Sequence, residues 1–223
     1  MQLFSRKRSV HAVSALADPL RAKIYEYLRR TTEPASRDAV AQALDLPRNT
    51  VSFQLERLAK EGLLTYEFRK LGETSGPGSG RPSKLYSLVT QEIEASVPHR
   101  EYTLAAHIMA QAIERATREQ RPVNELLAEV SRESGQALAT SNESLDQMLT
   151  KGGYLPETDK AGSIHLTDCP FHQLSAQFAD TVCMMNRELL GAVVETSGAP
   201  YQPCPVSPEA GHCCVRLDPT SNK

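Results

Sequence analysis

The run RNTVSFQLERLAKEG at residues 48–62 restricts the fold more than any other stretch, because Val51, Leu55 and Leu58 recur on one helical face and Gly62 stands where a helix ends. The turn Asp45, Leu46, Pro47 marks its start. Upstream, a short apolar segment at 11–16 leads to a second helical run at 20–30, with Ile24, Tyr25 and Leu28 at helical spacing and Pro19 suited to a first helical position. Ser36 offers a cap for a third helix at 37–44, striped by Val40, Ala43 and Leu44. Downstream, 63–70 alternates apolar and polar residues, 71–83 is rich in Gly, Ser and Pro, and 84–89 alternates again, which reads as a β-hairpin with a long tip.

This order of elements suits the reading of DNA. A helix about 10–12 Å across fits the major groove, where the residues at its N-terminal end face base edges. Arg48, Asn49, Thr50, Ser52 and Gln54 occupy that end, with Arg57 and Lys60 further along and better placed for the backbone. Arg pairs bidentately with guanine, and Asn or Gln with adenine. The hairpin adds Arg69, Lys70, Arg81 and Lys84 around a tip that lacks bulky side chains. Charge agrees: residues 1–90 hold 15 Lys/Arg against 9 Asp/Glu, and residues 91–223 hold 10 against 18, so the first part alone carries a phosphate-binding footprint. The runs ADPLR at 17–21 and VSFQLERLAKEGLL at 51–64 resemble the winged-helix regulators of the ArsR type, a likeness covering residues 9–90.

Beyond residue 90 the pattern is mostly helical. Tyr102, Ala105, Met109, Ile113 and Ala116 repeat every three to four residues within a linking helix expected from about residue 92 to 119, and further helices are expected at 123–138 and 174–190. All five cysteines lie between Cys169 and Cys214, in the segments DCPFH (168–172), VCMMN (182–186), the proline-flanked Cys204, and GHCCV (211–215). With 13 residues between Cys169 and Cys183 and 29 between Cys183 and Cys213, only the fold can bring these sulfurs together. If Pro170 starts a helix, Cys169 and His172 share its first turn, a break near 179–181 would bend the chain before Cys183, and strand alternation would send Cys213 and Cys214 to opposite faces. Soft thiolates favour zinc or an iron–sulfur centre over magnesium or calcium. Small buried apolar cysteines are the plainer alternative. Cys204 reads as a loop residue apart from the rest, Met184 and Met185 as core, and His11, His99, His107 and His165 as ordinary histidines.

The cysteine pattern is similar to the C-terminal sensor region of a helix-turn-helix family that includes repressors of iron–sulfur cluster assembly operons. That resemblance implies Cys169, Cys183 and Cys213 as ligands, with His172 and Cys214 fitting a subgroup that has a CPFH start and a Cys-Cys-Val end. Zinc remains the alternative to a cluster.

The fold expected is α+β and mostly helical: a winged helix-turn-helix at 9–90, a linking or dimerising helix at 91–121 and a small α/β sensor domain at 122–218. The function expected is a metal- or iron–sulfur-cluster-responsive transcriptional regulator that binds double-stranded DNA as a homodimer, since one winged helix covers only a half-site. A regulator with a purely structural zinc and a small-molecule effector is the alternative. No apolar run reaches the length of a membrane span and the N-terminus forms no signal-peptide core, so a cytoplasmic protein is expected, in which metal or redox chemistry is favoured over structural disulfides. No phosphate-cradling loop, nucleophile elbow or paired helical histidines appear in the basic part, and a thiol redox enzyme using Cys213 and Cys214 would lack the usual CxxC helix start; no enzymatic role is expected.

Overall fold

The computed structural model describes residues 6–70, 82–89, 94–139, 143–207 and 212–220, which divide into two units, residues 1–96 and 97–223. The fold is α+β and dominated by helices. In the first unit, α1 (Arg6–Ala15), α2 (Pro19–Arg30), α3 (Arg37–Leu44) and α4 (Arg48–Lys60) surround a core of Ile24, Leu28, Val40, Val51, Leu55 and Leu58. The caps are those the sequence announces. Asp18 accepts hydrogen bonds from the Leu20 and Arg21 amides ahead of Pro19, and Ser36 accepts from the Ala39 amide at 3.1 Å. Gly62 takes the left-handed conformation (φ 79°) that ends α4, and Leu63 turns at once into the core.

A two-residue strand absent from the sequence reading, β1 (Ala35–Ser36), completes a three-stranded antiparallel sheet with β2 (Leu64–Arg69) and β3 (Ser83–Leu88), in the order β1-β3-β2. Alternation correctly marks β2 as a strand. Its apolar positions do not all serve the core, however: Leu64 is buried, while Tyr66 and Phe68 on the same side stand exposed.

In the second unit, α5 (Tyr102–Glu119), α6 (Val123–Leu138) and α9 (Ala179–Ser197) form a helical layer, with α7 (Leu145–Lys151) and α8 (His172–Gln177) beside it. The helix expected to link the halves from about residue 92 begins only at Tyr102, and residues 94–101 are not helical. Its inner face is Ala105, Ile108 and Ala112, part of this unit's own core, and Ile113 is left exposed. Arg115 and Arg121 tie α5 to α6 by pairing with Glu119, Glu129 and Glu133, and with Glu119, Glu125 and Glu129, respectively. The α6–α9 contact is close because Gly135 has no Cβ. A Cβ there would fall on the Leu189 carbonyl oxygen and within 2.8 Å of the Ala192 Cβ.

A four-stranded antiparallel sheet in the order β4-β5-β7-β6 completes the unit, from β4 (Pro156–Thr158), β5 (Ile164–Leu166), β6 (Tyr201–Pro205) and β7 (Val215–Pro219). Cys204, expected in a loop, lies on β6 opposite Arg216. Its flanking prolines are tolerated because β6 is an edge strand and needs few ladder donors. No helix among the described residues is long and apolar enough to cross a membrane.

Candidate nucleic-acid interface and cysteine site

On a helix of about 3.6 residues per turn, the side of α4 opposite Val51, Leu55 and Leu58 carries Asn49, Phe53, Glu56 and Lys60, flanked by Ser52 and Arg57. Arg48 and Asn49 are exposed, and Thr50 and Ser52 half-buried. Arg48 pairs with Asp38 of α3 at 3.2 Å and Arg57 with Glu61 at the same distance, both at the surface, where such pairs are weak and exchange readily for phosphate. Gln54, also expected to read a base, is half-buried. It sits at the edge of the packed stripe, with Oε1 buried and without a hydrogen-bond partner among the described residues.

The wing is locked onto the helix. Glu56 accepts from Tyr86 Oη at 2.6 Å and from Lys84 Nζ, and the Lys84 ammonium stands 3.7 Å from the centre of the Tyr66 ring. Lys84 holds the Glu56 carboxyl below its ordinary range, with help from Tyr86; burial, then the Glu56 contact, push the Tyr86 hydroxyl up. Lys84, expected among the DNA-binding residues of the wing, here bridges β3 and α4. Arg69 pairs with Glu67 at the strand end. Lys70 also has an interaction of its own, and Arg81 with most of the wing tip lies outside the described residues.

The cysteines meet through sheet topology. Antiparallel pairing of β5 with β7, Ile164 opposite Leu217, puts the segment after β5 and the segment before β7 at one end of the sheet. Cys169 lies on the first segment, Cys213 and Cys214 on the second. The Cys213 amide donates to the Leu166 carbonyl at 2.9 Å, and Val206 donates to the Cys214 carbonyl at the same distance. Cys169 and Cys213 hydrogen-bond to each other, and Cys214 is joined in a disulfide to Cys183 in the early turns of α9. The expectation that only one of Cys213 and Cys214 reaches the group fails because both precede β7 in a bend, where strand alternation does not apply. Their thiols therefore find different partners. The disulfide differs from the expectation that metal or redox chemistry is favoured over structural disulfides.

Cys169, Cys213 and Cys214 are buried. The hydrogen bond from Cys213 outweighs burial at Cys169 and brings its thiol down to about 7; that same contact, with burial, pushes Cys213 well above the usual thiol range. Asn186, one turn beyond Cys183, donates from Nδ2 to the Cys213 sulfur at 3.1 Å, and its Oδ1 accepts from Tyr154 Oη; both residues are buried. The Cys169 segment is fixed from the start of the unit, where Arg100 donates from Nη1 to both Asp168 carboxylate oxygens at 2.9 and 3.0 Å and the Glu101 amide donates to the Pro170 carbonyl at 3.1 Å. The partners Asp168, Asn186, Tyr154 and Arg100 carry no motif signal; only the sheet order and helix register reveal them.

His172 stands apart. Helix α8 begins at His172 rather than at Pro170, so Cys169 turns into the core while His172 is exposed. The chain breaks at Phe178, just before the predicted 179–181, and this break lets α9 bring Cys183 back to the sulfurs. Cys204 lies outside the group and is tied to Asp218, and burial raises its thiol. His99 pairs with Glu101, His107 with the Thr103 carbonyl and His165 with Asp159, while Met185 is core.

In this disulfide form, no group of three or more His, Cys, Asp or Glu side chains among the described residues is arranged to hold a metal ion. A sulfur in a disulfide has no thiolate to donate. Four sulfurs from three segments thus form two pairs, Cys169 with Cys213 and Cys183 with Cys214, and once the disulfide is reduced thiols of this kind suit tetrahedral zinc or an iron–sulfur centre by their chemistry. A cleft of about 430 Å³ is lined by Glu157, Asp159, His165, His212, Cys213 and Arg216.

A family model described as a helix-turn-helix domain matches residues 16–67, which takes in α2 to α4 and the first residues of β2. No curated protein and no solved structure matches the chain.

Proposed function

We propose that this DNA-binding transcriptional regulator, with its helix-turn-helix domain, responds to an iron–sulfur cluster or metal held by Cys169, Cys183, Cys213 and Cys214, whose occupancy sets its affinity for operator DNA. The observation that carries the proposal is that cysteines from three separate segments pair in the second unit, Cys169 with Cys213 and Cys183 with Cys214, and that Cys213 and Cys214 are adjacent in the chain. When bound, such a group supplies a reversible cross-link between the β5 end, the β7 start and α9, sensitive to oxidants. The cleft at Cys213 favours a sensing centre over a sealed structural one, because structural zinc sites are closed.

The chain's own residues do the remainder. Asn186 orients the Cys213 sulfur and offers it an N–H, a contact that tunes sulfur-ligated centres. The Arg100–Asp168 pair makes residues 99–101, close after the unit boundary, sensitive to any shift of the Cys169 segment. Operator affinity and occupancy are linked by one coupling free energy, so DNA also changes the affinity of the cysteine site by the same factor. A cytoplasmic homodimer suits this scheme, each protomer reading one half-site. The zinc reading, with a small-molecule effector, is favoured only by the charged lining of the same cleft.

The test is iron, sulfide and zinc analysis of protein purified without oxygen, followed by DNA binding of loaded and stripped protein at fixed salt. Iron and sulfide with a changed affinity support the cluster; zinc with a changed affinity supports control by a metal; equal affinity of loaded and stripped protein rejects metal control, and zinc found in that case selects the second reading. Separately, Arg48→Ala is expected to weaken specific binding by about 1–3 kcal/mol if Arg48 reads a base. An equal loss on every sequence would assign Arg48 to phosphate.

A further inference from the structure

We infer that Phe53 reads the 5-methyl group of a thymine in the major groove, making it an apolar determinant of operator sequence; the inference rests on the DNA-binding reading of α4. Phe53 is 68% exposed on the side of α4 turned away from the core. A phenyl ring left in water on a folded helix costs free energy that a partner surface recovers. What surrounds the ring decides which partner. Asn49 lies one turn before it, and Arg57 and Lys60 lie one and two turns after it. A protein partner or a second copy would need a contiguous apolar patch, and this ring stands on the helix among an amide and two cations.

The remaining neighbour, Glu56, would repel phosphate if its charge were open. Lys84 and Tyr86 engage the half-exposed carboxylate and offset its charge, so the face offers cations, an amide and one ring beside a paired acid. That combination matches the floor of the major groove, where phosphates flank base edges and thymine alone presents a methyl group. The exposed rings of Tyr66 and Phe68 belong to β2, where they meet each other edge to face at 5.9 Å, with Lys84 over Tyr66. Phe53 is the only large apolar side chain exposed on α4 among the described residues.

The experiment starts by selecting a duplex from a randomised DNA library with the full chain. Each thymine of the selected duplex is then replaced singly by deoxyuridine, which removes the methyl and keeps every hydrogen-bonding edge. For the wild type, one replacement per half-site is expected to weaken binding about three- to tenfold, the scale of one buried methyl. Phe53→Ala should bind the thymine duplex more weakly by a similar factor and no longer distinguish thymine from uracil at that position, while Phe53→Leu retains part of the distinction. Because the ring is exposed, the variants should keep the wild-type circular dichroism. If a sequence is enriched but wild type and Phe53→Ala respond alike to every replacement, the inference falls and the DNA-binding reading stands. If no sequence is enriched, base-specific binding itself falls and takes the inference with it.

Discussion

Replacing any one of Cys169, Cys183, Cys213 or Cys214 by alanine is expected to lower the metal or cluster content of anaerobically purified protein by more than about tenfold, since loss of even outer partners of a ligand costs about 10–100-fold in affinity. The same variants should bind DNA with an affinity that no longer depends on loading. The reasoning is geometric. The four sulfurs come from three segments held by β5–β7 pairing and by α9, so loss of a sulfur removes a donor from a group assembled by the fold. Cys204→Ala is the internal control and should keep full content, because Cys204 lies on the edge strand and engages Asp218. His172→Ala should behave like Cys204→Ala, given that His172 is exposed while Cys169 is buried. Metal retention in all four cysteine variants would place the centre elsewhere; loss in His172→Ala would show that the loaded form draws that histidine inward.

The second large effect concerns stability. Gly135→Ala is expected to destabilise the second unit by the upper part of the ~1–3 kcal/mol that overpacking costs, because the added methyl meets the Leu189 carbonyl and the Ala192 Cβ rather than a flexible side-chain end. The sign is informative. Alanine is the better helix former by about 1 kcal/mol, so propensity alone predicts stabilisation. Gly191, on the opposing helix α9, supplies the contrast: a Cβ there would meet only Pro203 Cγ at an ordinary 3.5 Å, and Gly191→Ala should raise stability by about 0.5–1 kcal/mol. Urea denaturation of the full chain followed by far-ultraviolet circular dichroism reads both. Stabilisation by both substitutions would mean that α6 and α9 are not in close contact. Since α9 carries Cys183 and Asn186, a displaced α9 should also weaken the cysteine site in Gly135→Ala.

The reading helix and its wing were legible in the sequence because their signals are local. The Val51, Leu55 and Leu58 stripe, the Asp18 and Ser36 caps, Gly62 and the alternating strands each act within a few residues of where they are written. The cysteine site was legible only as a set of chemistries. Which sulfur meets which depends on β5 pairing with β7 and on the break at Phe178, and neither leaves a mark near the cysteines themselves. The same reason covers the departures in the first unit. Gln54 turns inward because it borders the packed stripe, and Lys84 clamps Glu56 because antiparallel pairing of β2 and β3 places it beside α4. Sequence by itself determined a helix that can enter a groove and a group of soft ligands; the tertiary structure alone decided which side chains that helix displays and which sulfurs can act together, because exposure and convergence are set by contacts between residues far apart in the chain.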